Sequence, residues 1–172
     1  DVGSWGALIT AYAQHGDGKK TLQLAAQMCT EGIRLNHITL ISILSACSHS
    51  GLINEACFLF NSMSRDHGVK PTVKHYACMV DLLSRAGRLE AAYNLIRELP
   101  IQASAPLWMS LLSACRLYGN VEIAAIAAER IHQLEPQNLA PFRLLDDIHA
   151  SSCQMSDPVD MVQVENLCKQ TQ

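Results

Sequence analysis

The residues of this 172-residue chain that could do chemistry are plentiful, but they are not gathered together. Seven cysteines, Cys29, Cys47, Cys57, Cys78, Cys115, Cys153 and Cys168, stand apart, with no C-x-x-C pair and no short Cys/His cluster. A structural zinc needs such ligands converging, and a secreted disulfide framework needs an even, patterned set. An odd set among apolar neighbours points instead to reduced, buried thiols that behave as small hydrophobes in an intracellular compartment. Asp146, Asp147, Asp157 and Asp160 are candidates for a metal or acid/base group, but they lack a Gly-containing calcium loop and a partner base, so a solvated acidic face explains them better. His132 and His149 are read as helix-surface or satisfied core side chains. No cofactor is expected.

The elements that position these residues repeat. In YACMVDLLSRAGRLEAAYNLIRELP, Tyr76 to Pro100, apolar Met79, Val80, Leu82 and Leu83 recur at helical spacing. Gly87 sits where a helix end wants a left-handed residue, Ala91, Ala92, Leu95, Ile96 and Leu99 restart the period, and Pro100 stops it. The same antiparallel hairpin recurs along the chain. The anchors Trp5, Leu40, Tyr76, Trp108 and Phe142 are 35, 36, 32 and 34 residues apart, and eleven residues after each stand Gly16, Gly51, Gly87, Gly119 and Cys153. Met28, Met63, Leu99 and Ile131 mark the second helices in the same register. Each hairpin is apolar on both sides and must stack, which predicts an all-α, right-handed α-solenoid of about five helix-turn-helix repeats. The hydrophobic fraction of 49% suffices for such a core, and no apolar run is long enough to span a bilayer, so no membrane partner is expected.

The units run 2–36, 37–72, 73–104, 105–138 and 139–172. The last one drifts: Asp146 takes the place held by Ile9, Leu44, Val80 and Leu112, and Cys153 replaces the turn glycine. A buried carboxylate costs several kcal/mol unless paired, on the order of the burial penalty for a charge. Unit five is therefore read as a solvent-facing cap or a docking surface. The chain starts at Asp1 without an initiator Met, which is read as a piece of something longer.

The phrases SWGALITAYAQHGDG, LSACSHSGLINEA, HYACMVDLLSRAGRLEAAYNLI and LWMSLLSACRLYGNVEIAAIAAERI, with these unit lengths, closely resemble plant pentatricopeptide repeat proteins of the PLS class. By that resemblance, residues 1–104 hold three repeats (P 2–36, L 37–72, S 73–104), and residues 105–172 hold an E1 motif (105–138) and a degenerate E2 motif (139–172). Members bind single-stranded organellar RNA about one base per repeat, and many specify cytidine-to-uridine editing. The E motifs lead to, or recruit in trans, a zinc-dependent deaminase. That chemistry needs a His/Cys/Cys zinc site and a Glu that moves protons. Here no His is followed two residues later by Glu, so no catalytic residue is assigned and the chain is not expected to be an enzyme.

The resemblance implies base-reading pairs at Gly6 with Asn36, Ile41 with Thr72, and Ala77 with Ser104. It implies base-stacking places at Val2, Ile38, Lys74, Pro106 and Ala140. Of the stacking places only Val2 and Ile38 suit the role, while Lys74 either holds a phosphate or is solvated. Gly6, Ile41 and Ala77 have no side chain that can hydrogen-bond a base, so weak RNA binding is expected of this stretch. Lys and Arg match or exceed Asp and Glu through unit three, and the balance then turns negative, most of all in unit five.

Two functions follow from the resemblance. One is the RNA-binding and adaptor portion of an editing specificity factor whose E motifs, with Asp146 and Asp147 as candidate partner contacts, recruit a deaminase or accessory protein. The other is a structural subunit of a larger organellar ribonucleoprotein or ribosome. The location implied is a mitochondrion, ahead of a plastid.

Overall fold

The computed structural model describes residues 1–155; residues 156–172, with Asp157, Asp160, Cys168 and any second helix of unit five, lie outside the described residues. Nine α-helices follow one another among the described residues: α1 Val2–Gln14, α2 Gly18–Thr30, α3 His37–Ser50, α4 Ile53–His67, α5 Val73–Arg85, α6 Leu89–Arg97, α7 Ala105–Tyr118, α8 Val121–Leu134 and α9 Ala140–Met155. They form four hairpins and one further first helix, stacked as an α-solenoid.

Local sequence chemistry explains where the helices begin. Short polar side chains accept backbone N–H groups that the first turn leaves unpaired. Asp1 accepts from Gly3 N at 2.7 Å, Asp17 from Lys20 N at 2.9 Å and Asn120 from Ile123 N at 2.9 Å. The four predicted turn glycines, Gly16, Gly51, Gly87 and Gly119, all have positive φ, between 68° and 76°. Where Cys153 replaces the glycine, nothing reverses the chain and α9 runs through to Met155.

The first helices pack in one row, α1 on α3, α3 on α5, α5 on α7 and α7 on α9. Among the described second helices only α6 and α8 touch. Close packing on one row and separation on the other curve the stack toward the first helices, which line its inner side. Along this row Ile43, Leu44, Val80, Leu111 and Leu112 are wholly buried. Leu8, in the register of Ile43 and Leu111, is 43% exposed because no described element covers that side of α1.

The core is divided at α5. Met79 and Leu82 join a cluster built from units one and two, whereas Val80 and Leu83 join one built from units three, four and α9. Adjacent residues on a helix point about 100° apart, so one helix closes both clusters. Polar links cross the joints as well. Ser50 Oγ donates to Gly16 O and accepts from Gly18 N, each at 3.0 Å, and Ser48 Oγ donates to Asp81. Tyr118 OH donates to Arg85 O at 2.6 Å and lays its ring against Gly87, where an added Cβ would come within 2.8 Å of the ring.

Three expectations are corrected. Leu99 lies beyond the end of α6, because the short unit three stops that helix at Arg97. Ala91, expected on the apolar face of α6, is exposed. Cys29 and Cys153 are exposed rather than buried; Cys57 and Cys78 are half-buried, and among the described cysteines only Cys47 and Cys115 are fully enclosed. The six described cysteines are free thiols. Burial pushes Cys47, Cys78 and Cys115 up to about 11, with Glu55 adding to the effect at Cys47 and Asp81 at Cys78, so all three stay protonated and inert.

Candidate nucleic-acid interface

The inner row carries a furrow between α1 and α3. Its first part, about 420 Å³, is bounded by Val2, Gly6, Thr10, Asn36, Ile38 and neighbouring residues. A second part of about 290 Å³ shares Thr10 and Gln14 and continues past Ile41, Ser42, Ser45 and His49. The helix period explains this lining. Val2, Gly6, Thr10 and Gln14 fall at i, i+4, i+8 and i+12 on α1, and Ile38, Ser42, Ser45 and His49 form the matching stripe on α3.

Four sequence-predicted residues thus come together: Gly6, Asn36, Val2 and Ile38. Gly6 leaves the wall bare, since an added Cβ there would meet only Thr39 Cγ2, at 3.6 Å. Val2 and Ile38 are 45% and 57% exposed, two apolar side chains from adjacent units available to face a flat ligand. Asn36 is fixed rather than free. It caps α3, its Oδ1 accepting from Ile38 N at 3.0 Å and Thr39 N at 2.9 Å, which leaves its amide nitrogen as the available donor. Thr10 Oγ1 and Ser42 Oγ, 3.1 Å apart, tie the two walls together.

The other predicted pairs stand differently. Ile41 belongs to the second part of the same furrow. Thr72 is exposed at the start of α5, with its backbone N–H donating to His75 Nδ1 at 3.0 Å and its hydroxyl 2.9 Å from the same nitrogen. Because Nδ1 accepts, Nε2 carries the proton and donates to His37 O at 3.2 Å; burial holds His75 below its ordinary value of 6.5. Ala77 packs against the unit-three and unit-four core, and Ser104 is exposed at the start of α7. Asn36, Thr72 and Ser104 are all helix-start residues; the Asn36 and Thr72 side chains also bond within the first turn, whereas Ser104 makes no side-chain capping bond.

Sequence reasoning missed Thr10, Gln14, Ser42 and Ser45, although their helical stripe was readable. Lys74 is exposed, as are Asp146 and Asp147 on α9, neither of which has an ion pair among the described residues. His149 is exposed; His132 packs edge-on against Phe142 at 5.2 Å, its Nδ1 buried without a hydrogen-bond partner. Among the described residues no group of three His, Cys, Asp or Glu could hold a metal ion, and no helix is long and apolar enough to cross a membrane.

Comparison with known proteins matches this architecture. The pentatricopeptide repeat domain matches residues 23–86, and the single PPR repeat matches residues 3–33 and 75–100. The chain is 46% identical over 162 residues to the pentatricopeptide repeat-containing protein CRR2, chloroplastic, of Arabidopsis thaliana, covering 94% of this chain and 24% of the relative. It is 43% identical over 157 residues to a mitochondrial pentatricopeptide repeat-containing protein of Arabidopsis thaliana, covering 91% of this chain and 24% of that relative. Among solved structures, the crystal structure of the pentatricopeptide repeat protein PPR10 from maize superposes with a TM-score of 0.66 at 19% identity, over 97% of this chain and 24% of that one. PPR10 in complex with an 18-nt psaJ RNA element gives 0.53 at 17% identity, over 99% of this chain and 30% of that one; at such identities the likeness is one of fold. The chain spans about a quarter of the length of these curated relatives, and its hairpin period, turn glycines and matched repeats make it a member of the pentatricopeptide repeat family.

Proposed function

We infer that this chain is an RNA-binding and adaptor portion of an organellar pentatricopeptide repeat protein, taking single-stranded RNA along its inner row. The observation that carries this reading is the furrow between α1 and α3, where Val2 and Ile38 flank a bare Gly6 beside the amide of Asn36. A base entering there is stacked by apolar side chains from two units and meets one fixed donor. RNA binding by PPR10, a relative in fold, supports the reading. So does the location of the relatives, some chloroplastic and some mitochondrial.

Within this reading, residues 2–36, 37–72 and 73–104 act as P, L and S repeats, and 105–138 and 139–172 as E1 and degenerate E2 motifs. The finer role is that of a cytidine-to-uridine editing specificity factor, with Asp146 and Asp147 contacting a deaminase or accessory protein in trans. Asp146 also supports a second reading. The only acidic residue in its register position, it is exposed on α9, which suits a structural subunit docked into a ribonucleoprotein.

Fluorescence anisotropy with oligouridylate and oligocytidylate RNA tests the first reading. Weak, salt-sensitive binding that Gly6→Leu abolishes by filling the furrow is expected; binding insensitive to Gly6→Leu overturns the site. Loss of editing at organellar sites on gene disruption supports the editing role, and intact editing with a failed assembly supports the structural one.

A further inference from the structure

We propose that the groove enclosed by α6, the connection 98–104 and α8 is a docking site for a short acidic peptide segment of another protein, held by Arg97 and Arg130 over an apolar floor. The groove arises from chain length. Helix α6 spans 9 residues where α2, α4 and α8 span 13, 15 and 14. The missing turn, roughly 6 Å of helix at 1.5 Å per residue, leaves a flank of α8 uncovered, and the connection fills it only in part. A groove of about 300 Å³ remains. Leu99, Trp108 and Leu134 contribute its floor, Ile101 at its edge is 59% exposed, and Arg97 and Arg130 stand on its wall.

Charge selects the occupant. Among the described residues no acidic side chain lines the groove, and their ion pairs, Arg65 with Asp66 and Arg85 with Asp81, involve neither arginine. The Arg97 guanidinium lies 5.7 Å from the Tyr93 ring centre, and Arg130 Nη1 donates to Gln133 Oε1 at 3.3 Å. The carboxylate of Glu129, beside Arg130 in sequence, is occupied by Gln133 Nε2 at 3.1 Å. Two guanidinium forks are built to take carboxylates in bidentate fashion. The side-chain amide of Gln102 matches the main chain of an extended segment, and the floor takes an aliphatic side chain between its carboxylates.

A peptide fits better than RNA. Arg97 covers the Tyr93 ring and Trp108 is only 7% exposed, so no aromatic face is open for a base to stack on. The groove is built mainly from second helices and their connection, whereas the α1–α3 furrow is built from first helices, so the inference does not rest on the RNA reading.

Anisotropy of a fluorescein-labelled octapeptide of alternating Asp and Leu, with the full chain, tests the proposal. Saturable binding is expected, weakened at least about tenfold when Asn replaces Asp in the peptide and by Arg97→Glu with Arg130→Glu in the protein. Both arginines are exposed, so thermal unfolding should be unchanged; Arg97→Gln with Arg130→Gln gives a smaller loss in the same direction and serves if the first pair unfolds. Absence of saturable binding up to about 1 mM peptide overturns the proposal, as does equal affinity for the Asn peptide. The proposal also fails if the Glu variant loses affinity for oligouridylate while keeping the Asp peptide. Tighter peptide binding by Asp157→Asn with Asp160→Asn would assign the groove to the chain's own carboxylates and likewise overturn it.

Discussion

The joint between units one and two and the joint between units four and five start from the same chemistry and finish differently. Four residues before the anchors Leu40 and Phe142 stand Asn36 and Asn138, and each folds its side-chain oxygen onto the backbone N–H two residues on, at 3.0 and 3.1 Å. Four residues after these anchors, the two joints part. Leu44 on α3 is wholly buried, while Asp146 on α9 is exposed and Ile148 supplies the buried contact instead. Helix starts are local and survive drift, whereas the buried face depends on which neighbours cover it. The first joint keeps an open furrow with bare and apolar walls; the last presents carboxylates.

Exchanging the divergent residue tests that contrast most severely. Leu112→Asp, at the same register position within the packed row, should cost about 4 kcal/mol or more, since it places a charge where no partner or water reaches. Chemical denaturation reads the loss, and a variant as stable as the parent would show that position to be wet. Next comes the turn before α6. Gly87→Val should destabilise by about 1–3 kcal/mol, because a β-branched residue is strained at positive φ and its Cβ collides with the Tyr118 ring. Gly16→Val meets no such neighbour, so it should cost less; equal melting shifts would mean the Tyr118 contact contributes nothing.

Asn36→Ala should cost about 1 kcal/mol through loss of the cap and also lower RNA affinity, whereas Asn138→Ala should lower stability without touching RNA. An RNA effect at both positions would erase the distinction between the two joints. Acid should loosen the joint between units two and three in particular. His75 is neutral when folded and its proton affinity is lowered, so its contribution is complete above 6.5 and is lost as pH falls below that value. Unfolding midpoints of the parent and of His75→Gln, measured between pH 7.5 and 5, should converge on acidification; parallel curves would remove His75 as the cause. The smallest effect belongs to Asp146→Leu, within about 0.5 kcal/mol of the parent, since the side chain is already in water.

Much of the fold is readable from the chain. The anchors and the four turn glycines give the hairpins without any contact information, because positive φ and the apolar helix period are local demands. Less of the furrow is. Gly6, Asn36, Val2 and Ile38 are reached through family resemblance, and Thr10, Gln14, Ser42 and Ser45 emerge only once α1 and α3 are set side by side. Tyr118 looks like an ordinary helix-end residue until its ring is found on Gly87, 31 positions away. Cys29 and Cys153 read as small hydrophobes by residue type, yet both lie exposed.

The sequence by itself determined where helices begin, turn and repeat, since caps, glycines and the 3.6-residue period act over a few neighbouring residues. Tertiary structure alone decided that α5 closes two cores at once and that the first helices pack while most second helices stand apart. It also decided that the short α6 opens a groove and that Asp146 rests in water. Each of these depends on what lies across a joint from a residue some 35 positions distant, and no local pattern records that.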